Sequence, residues 1–188
     1  MSNFNSQKII APIMRFVNMK GIIALKDGML AILPLTVVGS LFLIIGQLPF
    51  EGLNQAIASV FGDTWTEPFM QVYSGTFAIM GLISCFSIGY SYAKNSGVEP
   101  LPAGVLSLSS FFILLKSSYV PAKGEPIGDA ISKVWFGGQG IIGAIIIGLV
   151  VGAIYTVFIQ RHIVIKMPEQ VPQAIDKQFE AMIPAFVI

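Results

Sequence analysis

The sequence predicts an all-α, polytopic membrane protein, on the evidence of its composition and of the length of its apolar runs. Of the 188 residues, 54% are hydrophobic and only 11% are charged, and the mean hydropathy is +0.77. Soluble domains carry about 25% charged residues, so this composition favours lipid as the surrounding solvent. Four apolar runs contain no Asp, Glu, Lys, Arg or His: 28–48, 72–93, 101–115 and 137–160. Because a transmembrane helix needs roughly 20 apolar residues, the runs predict four complete transmembrane helices.

The composition also excludes several kinds of site. The formal net charge is +1, so no basic field exists to attract nucleic acid, and we expect no nucleic-acid partner. The chain has one cysteine, Cys85, and one histidine, His162. These counts exclude an internal disulfide framework and a multi-histidine or cysteine-only metal site. The sequence shows neither a phosphate-binding loop nor a dinucleotide-binding glycine motif. We therefore predict no metal and no cofactor.

Residues 5–19 are predicted to form an amphipathic helix that lies on the membrane. Apolar residues recur there at helical spacing, whereas Lys8, Arg15 and Asn18 fall mostly on the other side. Pro12 lies inside the segment and would break or restart the helix. An unstructured polar tail is the alternative.

The first predicted transmembrane helix covers 28–48. Pro34 lies inside this run and should kink the helix. Ser40 has a hydroxyl that can bond to the backbone or to a neighbouring helix. Lys26 and Asp27 come just before the run. A solvated salt bridge at the membrane edge is the simplest interpretation of this pair, and a gating or substrate contact is the alternative.

A polar loop is predicted over 49–71, followed by the second transmembrane helix over 72–93. Small residues recur at every fourth position of this helix, so they form one stripe where another helix can approach closely: Gly81, Cys85, Gly89 and Ala93. Cys85 is therefore interpreted as a packing residue. A reactive thiol would need a partly exposed, electropositive environment, and the sequence indicates none.

The third transmembrane helix is predicted over 101–120, although its apolar part ends at Leu115. Lys116 would have to extend its amine towards the membrane surface for the run to reach about 20 residues. A re-entrant segment is the alternative, and a loop with three lysines leads on to residue 136.

The fourth transmembrane helix is predicted over 137–160. It carries a second stripe of small residues, which ends in a GxxxG pattern: Gly140, Ala144, Gly148 and Gly152. This pattern is typical of helix packing. It does not say whether the partner helix belongs to the same chain.

The distribution of lysine and arginine predicts the orientation in the membrane. With four transmembrane helices, eight of the eleven Lys and Arg residues share a side with the amino terminus, and the other three lie in 116–136. Cytoplasmic segments carry the excess of these residues. We therefore expect a multi-pass protein whose amino terminus and segment 161–180 face the cytoplasm.

The last stretch of the chain combines a second amphipathic helix with a short apolar run. Apolar residues recur at helical spacing through 171–180, and the polar residues Gln173, Lys177 and Glu180 lie on the opposite face. The run 181–188 that follows is too short to cross about 30 Å of hydrocarbon. We interpret it as the start of a fifth, truncated transmembrane helix.

Three stretches of the sequence together resemble one permease family. The family pattern MPxxVPxxV…F…LIP is matched by Met167, Pro168, Val171, Pro172, Phe179 and Pro184. The stretch ALKDGMLAILPLTVVGSLFLII resembles a second pattern, A-I-R-D-G…P…I-G-S, through Lys26, Asp27, Gly28, Pro34, Gly39 and Ser40, with Lys26 where arginine is common. A third hallmark is resembled by SIGYSYAKNSGVEPLPAGVLSLSSFFI. The family is the membrane (EIIC) component of the phosphoenolpyruvate-dependent sugar phosphotransferase systems, lactose/cellobiose/diacetylchitobiose branch.

The resemblance implies that the chain is the amino-terminal half of such a permease. In the family this half is a bundle of five transmembrane helices with interfacial amphipathic helices, and it forms most of the homodimer interface. The histidine and glutamate that hold the sugar belong to the second half. No catalytic residue is therefore carried over, the substrate-binding residues stay unassigned, and whether the chain counts as an enzyme stays open. We expect a scaffold and dimerisation half that is inactive alone.

The mechanism implied by the resemblance is transport coupled to phosphorylation. A disaccharide or oligosaccharide with β linkages binds from outside, and the carrier part of the permease shifts to expose it inside. A phosphocysteine on the cytoplasmic IIB component, which acts together with a IIA component, then phosphorylates the sugar. The implied partners are the lipid bilayer of the bacterial cytoplasmic (inner) membrane, a second copy of the chain, IIB, IIA and, through the second half, the sugar. The resemblance does not identify the sugar.

Two other functions remain as alternatives at this point. A non-transporting membrane interaction protein, or a degenerate relic of a permease, would keep the glycine stripes without transport. A membrane enzyme is disfavoured because the four apolar runs contain no ionisable residue. His162 could accept a phosphoryl group or relay a proton. Because no orienting acid lies within sequence reach, we interpret it as a polar residue beside lipid head groups.

Overall fold

The computed structural model describes residues 14–121, 125, 127–165, 168 and 173–188. Most of the described chain is helical, which confirms the helical part of the predicted fold class. The amphipathic helix predicted over 5–19 lies largely outside the described residues. Its last part, 14–17, is helical.

The first apolar run forms two helices instead of one kinked helix. Helix α1 is Lys20–Ala31 and helix α2 is Leu33–Gly46, and their axes differ by 42° at Ile32. The break comes two residues before Pro34, because proline has no N–H to donate to the carbonyl of Leu30, four residues earlier, and its ring clashes with that carbonyl. Helix α1 begins at Lys20, eight residues before the predicted start at 28. The residues before the apolar run are therefore also helical.

The polar loop predicted over 49–71 is wrong in part, because most of it is helical. Helix α3 is Glu51–Phe61 and helix α4 is Glu67–Gly75. Each helix has a glutamate in its first turn, where a negative charge interacts favourably with the helix dipole. Gly62, with φ +89°, ends α3, and it adopts this backbone without steric cost.

Helix α5, Met80–Asn95, begins after the short 3₁₀ helix Phe77–Ile79. The chain turns at Thr76, whose φ and ψ are −127° and −87°. The Thr76 hydroxyl donates to the carbonyl of Val72, at 2.6 Å. In spite of this irregularity, Glu67–Asn95 forms one stretch long and apolar enough to cross a membrane.

Helix α6, Pro100–Leu114, is shorter than the predicted transmembrane helix over 101–120. It has 15 residues and spans about 22 Å. Beyond it, Ser118–Tyr119 pairs with Ile127–Gly128 as two antiparallel strands, β1 and β2. The extension to residue 120 is therefore wrong: the helix ends at Leu114, and Ser118–Tyr119 pairs with a partner strand instead of continuing it.

Helix α7, Ile141–Gln160, follows the 3₁₀ helices Lys133–Phe136 and Gly138–Gly140. The chain ends with α8, Gln173–Glu180, and α9, Met182–Val187.

Helix α5 lies at the centre of the bundle and packs against α1, α6 and α7, while α2 packs against α4. Over the described residues, Glu67–Asn95 and Gly138–Gln160 are the stretches long and apolar enough to cross a membrane, and a third is added if the bent pair α1 and α2 counts as one. The prediction of four complete transmembrane helices is therefore not confirmed. Large apolar side chains on the outside of α2 and α7 are exposed, as expected for helices in lipid.

Candidate functional site

The centre of the bundle is a contact between α5 and α7 that depends on small residues of both helices. A Cβ atom at Gly148 would lie 2.8 Å from the carbonyl oxygen of Cys85, and one at Gly152 would lie 2.7 Å from Cβ of Tyr92. Real Cβ atoms do not approach other heavy atoms this closely. Glycine at these positions therefore sets the distance between the two helices. Ala144, from the same stripe of α7, is fully buried.

Helix α5 packs against α6 in the same way. A Cβ atom at Gly89 would collide with the Ser107 hydroxyl and would lie 3.1 Å from the carbonyl oxygen of Ala103. The Ser107 hydroxyl donates to that carbonyl at 2.8 Å. The Cys85 thiol donates to the carbonyl of Ser107 at 3.2 Å. Cys85 is fully buried, so its surroundings are those of a packing residue, without the exposure that a reactive thiol needs.

The remaining stripe residues lie where α5 and α7 begin and end. A Cβ atom at Gly81 would lie 2.7 Å from the carbonyl oxygen of Gly137, and one at Gly140 would collide with the carbonyl oxygen of Trp135. Gly81 therefore holds the turn before α7 against the start of α5, and Gly140 allows that turn to close against its own backbone. Ala93, near the other end of α5, is fully buried.

Two glycines of the A-I-R-D-G…P…I-G-S pattern make close contacts with α5 and with the 3₁₀ helix before it. A Cβ atom at Gly28 would lie 2.7 Å from a side-chain carbon of Ile88, and one at Gly39 would lie 2.7 Å from Phe77. These contacts fix α1 and α2 on either side of their break. Pro34 lies in the first turn of α2, and the Ser40 hydroxyl donates to the carbonyl of Val37 within that helix.

A polar cluster joins α1 to α5 at one end of the bundle. The Asn95 amide donates to a carboxylate oxygen of Asp27 at 2.8 Å, and the other carboxylate oxygen lies 3.3 Å from the Lys26 amine. A cavity of about 390 Å³ lies beside the cluster. Its lining offers carboxylate, amine, amide and hydroxyl groups: Asp27, Ser87, Tyr90, Ser91, Lys94 and Asn95. Such a set of groups can form hydrogen bonds with the hydroxyl groups of a ligand or with a neighbouring segment of polypeptide.

The same end of the bundle holds the last helices of the chain. The Gln160 amide donates to the carbonyl of Ser96 at 3.0 Å, and the Lys177 amine lies 3.1 Å from a Glu99 carboxylate oxygen. Ala181 packs into a buried cluster whose other members are Ala93, Ala103 and Tyr155. The family-motif residues Phe179 and Pro184 are half-buried and buried respectively, and Pro168 is exposed. Met167, Val171 and Pro172 lie outside the described residues.

His162 ends helix α7 through its backbone. Its φ is +54°, its N–H donates to the carbonyl of Ile159, and the N–H of Ile163 donates to the carbonyl of Phe158. These two bonds form the Schellman motif that closes many helices. The side chain is exposed. Within the described segments, no group of three or more His, Cys, Asp or Glu side chains could hold a metal ion.

Two of the residues that join elements at this end, Asn95 and Glu99, are not among the site residues that the sequence predicts. Asn95 lies 68 positions from Asp27, and Glu99 lies 78 positions from Lys177. No spacing in the sequence indicates either pair, because each depends on how separate helices are arranged.

Comparison with known proteins adds the family. The model of the family described as "Phosphotransferase system, EIIC" matches residues 26–188. The chain is 39% identical to the lichenan permease IIC component of Bacillus subtilis (strain 168), over 97% of this chain and 41% of that protein. It is 37% identical to the cellobiose-specific EIIC component of Geobacillus stearothermophilus, over 88% of this chain and 38% of that protein.

A solved structure is similar over nearly the whole chain. The crystal structure of the transporter ChbC, the IIC component from the N,N'-diacetylchitobiose-specific phosphotransferase system, superposes with a TM-score of 0.89 at 33% identity. The match covers 99% of this chain and 44% of that one. The chain thus spans about two fifths of the length of the relatives it matches.

Proposed function

Because the chain belongs to the EIIC family of the phosphotransferase system, we propose that it is part of a permease that carries a sugar across the cytoplasmic membrane of a bacterium and couples this step to phosphorylation. The names of the relatives, lichenan permease and cellobiose-specific component, support a β-linked disaccharide or oligosaccharide as the substrate. Phosphorylation makes the transport one-way, since a charged sugar does not cross hydrocarbon again.

The part that we assign to these 188 residues is the scaffold. The observation that carries this proposal is the close packing of α5 against α1, α6 and α7, where glycines leave no room for a Cβ atom. Such a bundle moves as one body. Transporters commonly work by rocking one rigid part against another. We propose that the sugar-holding groups lie in parts of the permease beyond this sequence, so these residues alone do not transport.

The proposed partners follow from the same family. They are the lipid bilayer, a second copy of the chain in a homodimer, a cytoplasmic IIB component that donates the phosphoryl group from a phosphocysteine, and a IIA component. The amino terminus and 161–180 face the cytoplasm, where IIB and IIA act.

A chimaera tests the proposal. This chain replaces the aligned stretch of the cellobiose-specific EIIC component of Geobacillus stearothermophilus, in cells that lack their own cellobiose permease but contain the IIA and IIB components. Cellobiose uptake and cellobiose phosphate are measured for the chimaera, for the unchanged relative and for this chain alone.

We expect uptake and phosphorylation from the chimaera and none from the chain alone. Uptake by the chain alone would show that these residues transport sugar by themselves, which would contradict the scaffold role. A chimaera that reaches the membrane at the level of the unchanged relative, yet takes up no cellobiose, would contradict the shared scaffold role. Such a result would favour the non-transporting interaction protein.

A further inference from the structure

Helix α3, Glu51–Phe61, stands apart from the rest of the bundle. None of its residues is buried, and no other helix in the described part of the chain packs along it. One side-chain bond ties it to the connection that precedes it: the Asn54 amide donates to the carbonyl of Leu48 at 2.9 Å. A helix this short does not persist in water without further contacts, so something must cover part of its surface.

The ends of the segment that contains α3 lie at one level of the bundle. A Cβ atom at Gly46, the last residue of α2, would lie 2.8 Å from the Met70 sulfur in α4. The rings of Phe42 and Trp65 lie 6.1 and 6.0 Å from that of Phe69. Tryptophan is enriched at the boundary between lipid and water, and Trp65 belongs to this cluster. Because the chain leaves and re-enters the bundle at this level, α3 lies at the same boundary.

The exposed surface of α3 is divided into an apolar and a polar face. Leu53, Val60 and Phe61 are 47%, 75% and 76% exposed. In helical projection they share one side with Ala56 and Ile57, and Glu51, Gln55 and Ser59 occupy the other. The end of α2, which the chain leaves shortly before α3, also exposes apolar side chains, on Leu41, Ile44 and Ile45.

We propose that α3 lies in the membrane interface and inserts this apolar face among lipid acyl chains, as an anchor held without electrostatic attraction. The occupant follows from the position of α3 directly after α2 along the chain, because the exposed apolar side chains of α2 belong in the membrane. The kind of attraction follows from the charges: residues 47–66 contain Glu51 and Asp63 but no lysine or arginine. Interfacial helices that depend on anionic lipid carry basic residues on the polar face. This inference does not depend on the sugar or on transport.

Tryptophan fluorescence in vesicles tests the proposal. The full chain has two tryptophans, and both are first replaced, as Trp65→Phe and Trp135→Phe. Single tryptophans are then introduced on the apolar face, as Val60→Trp or Leu53→Trp, and on the polar face, as the matched controls Ser59→Trp or Gln55→Trp. Each variant is reconstituted into zwitterionic phosphatidylcholine, with and without bromine on the acyl chains.

We expect brominated chains to reduce the fluorescence of Val60→Trp and Leu53→Trp roughly twofold, since an interfacial helix buries its apolar face about 5–10 Å deep. Ser59→Trp and Gln55→Trp should change little, and salt at about 1 M should leave all four unchanged because it screens charge interactions only. Equal quenching on both faces would overturn the proposal. So would blue-shifted but unquenched emission from the apolar face, which would show that protein covers it. If salt abolished the quenching, the helix would be held by charge, and the proposal of an anchor without electrostatic attraction would be overturned.

Discussion

Gly148 and Gly143 lie on the same helix, α7, in opposite surroundings. A Cβ atom at Gly148 would lie 2.8 Å from the carbonyl oxygen of Cys85 and 3.0 Å from Cβ of Ile88, whereas no atom lies within 4 Å of a Cβ atom at Gly143. A backbone carbonyl cannot move aside as a flexible side chain can. The two glycines therefore separate the effect of helix packing from that of helix propensity.

We expect Gly148→Ala to lower the free energy of unfolding by about 1–3 kcal/mol, because the added methyl group forces α5 and α7 apart. Gly143→Ala should leave it unchanged or raise it by up to about 1 kcal/mol, because alanine favours the helix. Unfolding of the full chain in detergent, followed by circular dichroism, measures both. Equal effects of the two substitutions would show that the close contact at Gly148 does not limit the helix distance.

At the scale of elements, the end of α7 illustrates how a helix can stop without glycine. His162 adopts φ +54°, a region that costs a residue with a Cβ atom roughly 1–2 kcal/mol. The Schellman bonds of His162 and Ile163 hold this conformation. The bonds come from the backbone, so they need no imidazole. This arrangement explains His162 without a phosphoryl or proton-transfer role.

His162→Gly should therefore raise the free energy of unfolding, by up to about 1 kcal/mol, because glycine adopts positive φ without steric cost. The gain stays below the full cost of the left-handed backbone, since glycine also has more freedom in the unfolded chain. His162→Val should lower the stability, because a β-branched residue is strongly disfavoured there. The apparent melting temperature of the full chain in detergent checks both. If His162→Gly is destabilised, the side chain makes a contribution that the cap does not explain.

Sequence patterns predicted the helices to different degrees. The centre of α7 and that of α5 follow from long apolar runs with small residues at every fourth position. Helix α3 was missed because its 11 residues carry polar side chains on one face and lie between turn-forming residues, which is also typical of a loop. The end of α6 at Leu114 was missed because Ser118–Tyr119 forms a short strand, and its partner strand Ile127–Gly128 lies further along the chain.

At the scale of the whole molecule, contacts at the two ends of the bundle show how the helices are oriented relative to one another. Helices α5 and α7 run in the same direction, since Gly81 meets Gly137 at one end and Gln160 meets Ser96 at the other. Asp27 lies at the same end of the bundle as Ser96, because its carboxylate accepts a hydrogen bond from Asn95. Segments that the count of lysine and arginine assigns to one side of the membrane are thus neighbours in the fold. Which end faces the cytoplasm stays a prediction from charge.

Labelling with a membrane-impermeant thiol reagent tests this orientation. The one cysteine is removed as Cys85→Ala, and single cysteines are introduced as Ser117→Cys or Ile165→Cys, neither of which changes a charge. We expect Ser117→Cys to be labelled in intact cells, and Ile165→Cys to be labelled only after the membrane is permeabilised. Both positions are exposed, so poor access does not explain a negative result. The reverse pattern would show that the amino terminus faces outwards.

The sequence by itself determined the helical membrane class and the family, and its stripes of small residues predicted where helices pack. These properties depend on local quantities: the length of an apolar run, the charge in it and the spacing of small residues along one helix. Only the tertiary structure decided the break at Ile32, the independent helix α3, and the contacts of Asp27 with Asn95 and of Glu99 with Lys177. The physical reason is that each of these depends on groups that become neighbours only when the helices pack. Unpaired backbone N–H and C=O groups at the helix ends then form hydrogen bonds that no local pattern indicates.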